Sequence, residues 1–298
     1  MSNTSSLNNG PRVTVITGAG KGLGRAFALH AASTGARVVV NNRKRDGEPS
    51  SADAVVAEIK AAGGDAVADY HDVRDEGAAQ GLADAAQKAW GRLDAIVLNA
   101  GVNGPAARFT AQTAEGFRDV LETNFFANLA ILQAALPLVI GSGAGRVILV
   151  ASSAGLYGVR GRAPYAASKG ALIGLGLTLS HELRRDGVGV NVLAPYAATQ
   201  MTADTMAAQE DLSQRMTPES VAPLATWLAS AECEANGEIW VAGGGYLRRA
   251  RMMEGDGAPF ERLEDVAAAL EASRPMHGAA GYTGAEASFA DFAAKGAR

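Results

Sequence analysis

The chain has 298 residues, of which 48% are hydrophobic and 19% charged, so it can bury a large core, and its composition excludes disordered and fibrous classes. Its 27 Lys and Arg against 31 Asp and Glu give a net charge of -4, which argues against a nucleic-acid-binding surface. One cysteine, Cys233, rules out an intramolecular disulfide, and four scattered histidines lack metal-ligand spacing, so we expect no metal site and a cytoplasmic protein.

The N-terminus is polar and lacks the charged and apolar regions of a signal peptide, so residues 1–10 are expected to form a flexible tail. The longest apolar run, residues 127–140, is interrupted by Asn128, Gln133 and Pro137. It is too short to span a bilayer, and we expect no membrane association.

The first half alternates short β-branched runs with longer helix-forming segments. Residues 13–17 form an apolar run that ends in glycines and is followed by helix formers, which predicts a strand, a tight turn and a helix. The same pattern recurs as strands over 38–41, 66–69 and 95–98 and helices over 51–62 and 76–90. Alternation at this spacing predicts a parallel sheet with helices on both faces.

The second half repeats this alternation. A long helix over 114–136 precedes a strand at 147–150, a helix from Tyr165 to about residue 185 and a strand at 188–193. Thr217 and Pro218 are a favourable N-cap and first-turn pair for a helix to about residue 230, and 238–241 is the last predicted strand. Together the halves predict an α/β fold: a doubly wound (Rossmann) parallel sheet of about seven strands.

The alternation stops near residue 250. Beyond it the sequence predicts one helix near residues 262–271 and a Gly/Ala-rich end. We therefore expect a single domain over residues 11–250 and a partly helical C-terminal extension over residues 251–298.

A glycine-rich turn joins the first predicted strand to the first helix. Glycines permit close approach of a diphosphate, and the helix N-terminus offers unpaired N–H groups, so the turn indicates a dinucleotide site. It is not a P-loop, because Gly22 follows Lys21 and no Ser or Thr stands there to hold a metal. The predicted contacts are Gly18, Gly20, Lys21, Gly22, Leu23 and Gly24.

Tyr165 and Lys169 form a predicted acid/base pair. They lie four residues apart on a predicted helix and so share a face. A tyrosine titrates near ~10, so work at neutral pH needs its phenolate stabilised by roughly 4 kcal/mol, and an ammonium at about 4 Å supplies an interaction of that order. Ser152, at a strand end, is placed to donate a hydrogen bond to a carbonyl oxygen whose proton Tyr165 gives or takes.

Five motifs in this order resemble the short-chain dehydrogenase/reductase family over residues 12 to about 245. They are the turn at 17–24, Asn99-Ala100-Gly101, Asn124, Ser152 thirteen residues before Tyr165, and Lys169. The resemblance implies that Tyr165 is the general acid/base and Ser152 orients the substrate oxygen. It implies that Lys169 lowers the pKa of Tyr165 and binds the nicotinamide ribose, and that Asn124 holds a water linking Lys169 to solvent.

Further cofactor contacts follow from the same resemblance. Asp72 matches the family's adenine contact, although a turn residue at a strand end is the alternative. Asn99 could instead serve mainly to pin neighbouring strands. The remaining implied contacts are Val73, Ala100, Gly101, Pro195 and Thr199, together with Tyr165 and Lys169.

A closer resemblance concerns the substrate. Segments 35–41, 152–158, 218–224 and 232–237 are similar to the (3R)-hydroxyacyl-CoA dehydrogenase module of the multifunctional peroxisomal β-oxidation enzyme and its bacterial relatives. This implies an oxidoreductase that interconverts a 3-hydroxyacyl-CoA and a 3-ketoacyl-CoA. A hydroxysteroid or another bulky alcohol is the alternative substrate, and a catalytically silent dinucleotide-binding regulator is the alternative class.

Two sets of arginines are candidates for the phosphates of coenzyme A. Arg160 and Arg162 lie between Ser152 and Tyr165, while Arg248, Arg249 and Arg251 lead into the extension. Guanidinium groups suit phosphate geometrically. A solvated charged surface is the alternative interpretation for both sets.

The residues after the second strand bear on the cofactor. Enzymes of this fold that use NAD usually end that strand with an acidic residue, which repels a 2′-phosphate. Here the position is Asn42, and Arg43 follows it, while Lys21 lies in the glycine turn. We therefore predict a preference for NADP(H), with NAD(H) as the alternative if the cations are ordinary surface charges.

Three glycines interrupt the helix that starts near Tyr165. Gly170, Gly174 and Gly176 each cost about 1 kcal/mol there relative to alanine, which suggests close packing. The neighbour is either a helix of the same subunit or, as the family implies, one of a partner subunit in a homodimer or homotetramer.

Overall fold

The computed structural model describes residues 10–45, 47–197 and 214–296. Its Cα positions divide into two compact units, Met1–Arg249 and Ala250–Arg298. The first contains the sheet and its helices, and the second contains two helices.

The sheet of the first unit has eight strands in the order β3-β2-β1-β4-β5-β6-β7-β8. Strands β1 to β7 pair in parallel. The strands are β1 Val13–Ile16, β2 Arg37–Asn41, β3 Asp65–Asp69, β4 Ala95–Leu98, β5 Arg146–Val150, β6 Gly189–Pro195, β7 Ile239–Gly243 and β8 Tyr246–Ala250. The predicted Rossmann fold is confirmed, with β8 as an edge strand that the sequence pattern did not indicate.

The helices of this unit are connected to the strands in the predicted alternation. They are α1 Gly22–Ser33, α2 Ser51–Ala61, α3 Ala78–Trp90, α4 Ala114–Leu121, α5 Ala127–Gly141, α6 Ser153–Tyr157, α7 Ala163–Glu182 and α8 Ala222–Ala229. Strands β1, β4 and β5 are buried at every position, as expected of a parallel sheet covered on both faces.

The chain order reverses between β1 and β4, which lie side by side although β2 and β3 follow β1 in sequence. In a doubly wound sheet the loops at the carboxyl ends of such neighbours diverge and leave a crevice. The glycine turn, the Asn99–Gly101 segment and Ser152 all follow strands of this region. The topology therefore brings the sequence-predicted residues together at the carboxyl end of the central strands.

The predicted long helix is interrupted. Between α4 and α5, residues Glu122–Phe126 form one π-helical turn that contains Asn124. Such single turns carry an extra residue in the hydrogen-bonded repeat and occur frequently at functional sites. A period of 3.6 cannot reveal this insertion, so the sequence pattern predicts one continuous helix.

The helical run 114–141 is longer than the apolar run 127–140 that the sequence suggests is too short to span a bilayer. With 28 residues and an 18-residue window of mean hydropathy 1.6, it is long and apolar enough to cross a membrane by length and composition alone. Core helices of water-soluble proteins meet the same criterion, and 39% of that window is buried inside the fold. Its buried amides Asn124 and Asn128 are hydrogen-bonded to other parts of the chain, as in a core helix.

The segment after Thr217 also differs from the prediction. Pro218–Ser220 form a 3-10 turn, and α8 begins only at Ala222. Pro223 lies in the first turn of α8, where its missing N–H costs no hydrogen bond. The Thr217 side chain makes no capping hydrogen bond.

The second unit contains one helix where the sequence predicts it and a second that it does not. Helix α9 spans Leu263–Ser273, close to the predicted 262–271, and α10 spans Ala285–Gly296. The Tyr282 hydroxyl donates to Asp291 Oδ2 at 2.5 Å, which ties the segment before α10 to the helix itself. Because this end of the chain is rich in Gly and Ala, its sequence pattern does not predict α10.

Candidate active site

The glycine turn forms a cradle without side chains between β1 and α1. Gly18 has a φ of +64°, which favours glycine. A Cβ on Gly24 would collide with the Gly18 carbonyl oxygen, so only glycine lets α1 approach the turn this closely. The arrangement leaves room for a diphosphate at the start of α1, and Lys21, the N-cap of α1, is exposed beside it.

Asn99 holds this turn against the end of β4. Its Nδ2 donates to the carbonyl oxygens of Thr17 at 2.9 Å and Gly18 at 3.3 Å. The hydroxyl of Thr17 accepts in return from the backbone N–H groups of Asn99 and Ala100. The pinning of strands, one of the two interpretations of Asn99, is thus present in the structure.

A cavity of about 360 Å³ lies at this carboxyl end of the strands. It brings together the sequence-predicted Leu23, Asn99, Gly101, Ser152, Tyr165, Lys169 and Pro195. Thr199 lies outside the described residues. Side chains that sequence reasoning did not assign to the reacting centre also line it, namely Asn103, Ala154, Val159, Arg162 and Tyr196. Apart from Ala154, which lies in the short helix α6, these residues come from segments whose conformation no periodicity predicts.

Ser152 and Tyr165 both line the cavity, and hydrogen bonding with Ser152 lowers the pKa of Tyr165. Ser152 also caps α6, because its hydroxyl accepts from the Ala154 N–H at 3.1 Å. A Cβ on Gly155 would lie 2.6 Å from the backbone of Lys169, so this glycine lets α6 pack directly on α7. The short helix thereby sets Ser152 against Tyr165.

Lys169 is buried behind Tyr165. Its Nζ donates to the Val150 carbonyl oxygen at 2.7 Å and lies 5.8 Å from the centre of the Tyr165 ring. Burial lowers the pKa of Lys169 to about 8. The lysine is therefore a weaker and more distant cation than the helical spacing alone suggested.

The pKa of Tyr165 is raised above its ordinary value. Burial raises it, and the hydrogen bond with Ser152 and the charge of Arg162 lower it by less. The Lys169 ammonium donates to the Val150 carbonyl oxygen, and the lowering of the pKa of Tyr165 by Lys169 remains a prediction. At neutral pH the phenol is protonated.

Asn124 is fully buried in the π-helical turn and has the partners that its burial requires. Its Nδ2 donates to Val102 O and Ser168 Oγ, both at 2.9 Å, and its Oδ1 accepts from Val102 N at 2.7 Å. A Cβ on Gly101 would lie 3.1 Å from Asn124 Oδ1 and 3.4 Å from Lys169 Nζ. Gly101 thus lies between the two side chains, and the role of Asn124 in holding a water remains a prediction.

The ends of β2 and β3 form the other part of the predicted cofactor site. Arg43 Nη1 donates to Asp72 Oδ2 at 3.0 Å, and both side chains are partly exposed. Burial would raise the pKa of Asp72, but hydrogen bonds from Arg43 and from the Arg74 N–H hold it below its usual value. Val73 is half-buried in the same turn.

Asn42 follows β2 and lies close to the glycine turn. Its Nδ2 donates to Ser51 Oγ at 2.7 Å, and a Cβ on Gly20 would meet both side chains. The position that carries an acid in many NAD enzymes is thus neutral here, while the Arg43 cation is already paired with Asp72.

The two arginine sets proposed for coenzyme A have different surroundings. Arg162 lines the cavity, whereas Arg160 is exposed. Arg249 forms an ion pair with Glu238 at 3.0 Å, and Arg251 hydrogen-bonds the Gly281 carbonyl within the second unit. In the part of the chain that the structure describes, no three His, Cys, Asp or Glu side chains are grouped to hold a metal ion.

Comparison with known proteins agrees with this site. The family model for short chain dehydrogenases matches residues 12–210. The chain belongs to the short-chain dehydrogenase family. It is accordingly an NAD(P)-dependent oxidoreductase that acts on CH–OH groups.

Individual relatives extend over most of the chain. A short-chain type dehydrogenase/reductase of Mycobacterium tuberculosis is 39% identical over 86% of this chain and 92% of its own length. The solved structure of full-length peroxisomal multifunctional enzyme type 2 from Drosophila melanogaster is 30% identical with a TM-score of 0.80. The match covers 97% of this chain and 49% of that one, so this chain spans about half of that enzyme.

A third relative is described with a cofactor. It is the structure of an NAD(P) dependent gluconate 5-dehydrogenase from Beutenbergia cavernae with bound NADP, which is 33% identical with a TM-score of 0.70. The match covers 81% of this chain and 98% of that one.

Proposed function

We propose that the protein interconverts a 3-hydroxyacyl-CoA and a 3-ketoacyl-CoA, with Tyr165 as the general acid/base. The observation that supports this chemistry is the shared cavity, which is lined by Ser152 and Tyr165, with Lys169 buried and its Nζ 5.8 Å from the centre of the Tyr165 ring. These groups can fix a carbonyl or alcohol oxygen and exchange its proton.

The residues fit a nicotinamide dinucleotide. The side-chain-free cradle at Gly18 and Gly24 suits the diphosphate, Asp72 would face the adenine, and Lys169 would hold the nicotinamide ribose. When bound, the nicotinamide supplies or takes up the hydride. Lys21 and Arg43 favour NADP(H), because either cation can pair with a 2′-phosphate, whereas Asn42 does not repel one.

The protonation state of Tyr165 makes the rates of ketone reduction and alcohol oxidation depend on pH in opposite ways. Burial raises the pKa of the phenol, so it is protonated at neutral pH and suited to donate a proton to a ketone oxygen. Alcohol oxidation needs the phenolate, so its rate should rise with pH as Tyr165 ionises. Ser152 donates a hydrogen bond to the same substrate oxygen in both directions.

The proposed substrate class is supported by the similarity of the chain to known relatives and by the positive charge of Arg160. The chain resembles the dehydrogenase module of the multifunctional β-oxidation enzymes, and a peroxisomal multifunctional enzyme is among its relatives by sequence and structure. A relative from Synechocystis, 34% identical, is named a 3-oxoacyl-[acyl-carrier-protein] reductase, which also acts on a 3-oxoacyl group. Arg160, exposed near the cavity-lining segment, is available to the phosphates of coenzyme A.

The test is reduction of a 3-oxoacyl-CoA followed by nicotinamide absorbance, beside a ketosteroid and a simple ketone. Tyr165→Phe should abolish turnover and leave NADPH affinity nearly unchanged, because only the hydroxyl is lost. Lys169→Ala should damage both. Retained turnover in Tyr165→Phe would refute the acid/base assignment.

A second measurement addresses coenzyme A itself. The 3-oxoacyl-CoA and its N-acetylcysteamine thioester carry the same reacting group, but the second lacks the nucleotide. The CoA thioester should show the lower KM if its phosphates are recognised. Equal efficiency for the two would remove the basis for coenzyme A recognition, and preference for the ketosteroid would favour the alternative substrate class.

A further inference from the structure

Arg162 brings a positive charge to the wall of the cavity that holds Ser152 and Tyr165. It is half-buried and directly precedes α7. Its Nη1 donates to the Gly104 carbonyl oxygen at 2.9 Å, which fixes the guanidinium against the loop after β4. A guanidinium has five N–H donors, so this single bond leaves others for a ligand in the cavity.

The loop that carries Arg162 is itself held in place. The carbonyl oxygen of Gly161 accepts from the Ala107 N–H at 2.9 Å and from Gln112 Nε2 at 3.3 Å. The segment before α7 and the segment after β4 therefore form one bonded wall of the cavity. Arg162 is positioned by this wall in advance of any substrate, which is what a specificity-determining side chain requires.

The charge of Arg162 has no acidic partner in the described part of the chain. Neither Asp nor Glu is among the described side chains that line the cavity, and Arg162 forms no ion pair with a described carboxylate. A partly buried cation without a counter-ion favours an oxygen acceptor on the ligand. That acceptor must lie close to the atoms that Ser152 and Tyr165 hold.

We propose that Arg162 is a specificity-determining residue that donates hydrogen bonds to the thioester carbonyl oxygen of a 3-oxoacyl or 3-hydroxyacyl substrate. This proposal rests on the proposed function. Ser152 and Tyr165 take the oxygen on C3, and the oxygen on C1 follows two carbons along, inside the same cavity. A buried carbonyl without a donor is costly, so the site rejects substrates whose second oxygen is missing or misplaced.

The same guanidinium acts on Tyr165 through its charge, which lowers the pKa of the phenol against the effect of burial. Replacing Arg162 by a neutral residue should therefore move the alkaline rise of alcohol oxidation to higher pH. This readout separates a group beside the phenol from a purely structural one.

The decisive experiment compares two substrates that differ by one oxygen. One is the N-acetylcysteamine thioester of 3-oxobutanoate, and the other is the 3-oxobutyl thioether, which keeps the ketone and the chain but lacks the C1 oxygen. Arg162→Met should lower kcat/KM for the thioester by about 10- to 100-fold and for the thioether by less than about threefold. Arg162→Lys should restore part of the loss, and Arg108→Met, which removes an exposed arginine from the neighbouring loop, should change neither.

Equal losses on both substrates, or no loss on either, would overturn the assignment of Arg162 while leaving the proposed function intact. If the unmodified protein reduces the thioether but not the thioester, the proposed function fails and the proposal fails with it. Thermal unfolding of each variant checks that the fold persists, and Arg162→Lys keeps the test valid if Arg162→Met does not fold.

Discussion

Lys169 shows how burial changes the meaning of a residue that a sequence pattern identifies. The helical spacing places its ammonium on the face of Tyr165, and the structure agrees. Burial, however, lowers the pKa of Lys169 to about 8, because the charged form loses its hydration. A charged lysine here opposes folding.

This environment predicts a pH-dependent stability. The folded pKa of Lys169, about 8, lies below the ordinary 10.5, so the cost of the charged form is fully present below pH 8 and disappears as pH rises toward 10.5. The free energy of unfolding of Lys169→Met minus that of the unmodified protein should therefore fall by about 3 kcal/mol over this window. Urea denaturation without nucleotide at a series of pH values measures it. Lys60→Met, at an exposed position, should give a flat difference, and a flat difference for Lys169→Met would contradict the prediction.

Cofactor preference is a second prediction at this scale. Charged hydrogen bonds of ~1.5–3 kcal/mol from Arg43 or Lys21 to a 2′-phosphate would favour NADPH over NADH by at least about tenfold. Because Arg43 is paired with Asp72, part of this gain is offset by breaking that contact. Arg43→Ala and Lys21→Ala should each reduce the preference, and Asn42→Asp should reverse it.

Titration of the four proteins with each reduced nucleotide, followed by fluorescence, tests the preference. Arg45→Ala is the matched control, because Arg45 is exposed on the same loop and pairs with Glu48 instead. If NADH binds the unmodified protein as tightly as NADPH, the interpretation of these residues is wrong.

The site could be predicted from sequence only where regular structure sets the spacing. The distance of four residues on a helix identified Tyr165 and Lys169, and a strand end identified Ser152, because these geometries follow from the backbone. Arg162 entered the sequence argument only as a phosphate ligand, because its place in the cavity depends on bonds between two irregular loops. The raised pKa of Tyr165 depends on burial, which spacing does not report.

At the scale of elements, the regular strands and helices could likewise be predicted from the sequence, whereas the irregular turns between them could not. Buried β-branched strands alternating with helices gave the sheet and its order of elements. The π-helical turn at Glu122–Phe126 is a local insertion that leaves the hydrophobic period almost unchanged, and the 3-10 turn Pro218–Ser220 before α8 is too short to show a period of its own. The site uses such an insertion, since Asn124 lies within the π-helical turn.

Asn128 is expected to hold that turn in place. Its Nδ2 donates to Asn124 O at 2.8 Å and to Ala100 O at 3.2 Å, so it joins the π-helical turn to the segment after β4. Asn128→Ala removes one hydrogen-bond donor from each of the Asn124 and Ala100 carbonyl oxygens, and should lower the free energy of unfolding by about 1–3 kcal/mol. It should also weaken NADPH binding, because Ala100 lies beside Asn99 and Gly101.

Denaturant unfolding and NADPH titration measure both effects. Gln133→Ala, on an exposed position of the same helix, provides the control. An Asn128→Ala protein as stable as the control would show that the amide is not needed to hold the turn.

At the scale of the whole molecule, the glycines of α7 distinguish internal packing from an external surface. A Cβ on Gly176 would meet Val192 and Leu149 of the sheet, and one on Gly170 would lie 3.5 Å from the Gly155 carbonyl oxygen. Both are explained within one subunit. Gly174 is exposed, and a Cβ there would have no atom within 4 Å.

Gly174 therefore costs helix stability, about 1 kcal/mol relative to alanine, without any neighbour in its own subunit to explain it. We predict that the outer face of α7 packs against a second copy of the chain, giving a homodimer or homotetramer. Gly174→Arg should shift the protein to a smaller assembly, since arginine favours the helix and only a packed interface would reject it. Gly141→Arg, at an equally open glycine at the end of α5, should leave the assembly unchanged. Sedimentation velocity measures the mass of each protein, and a monomeric unmodified chain, or the same assembly for both variants, would show that the open glycine marks no subunit interface.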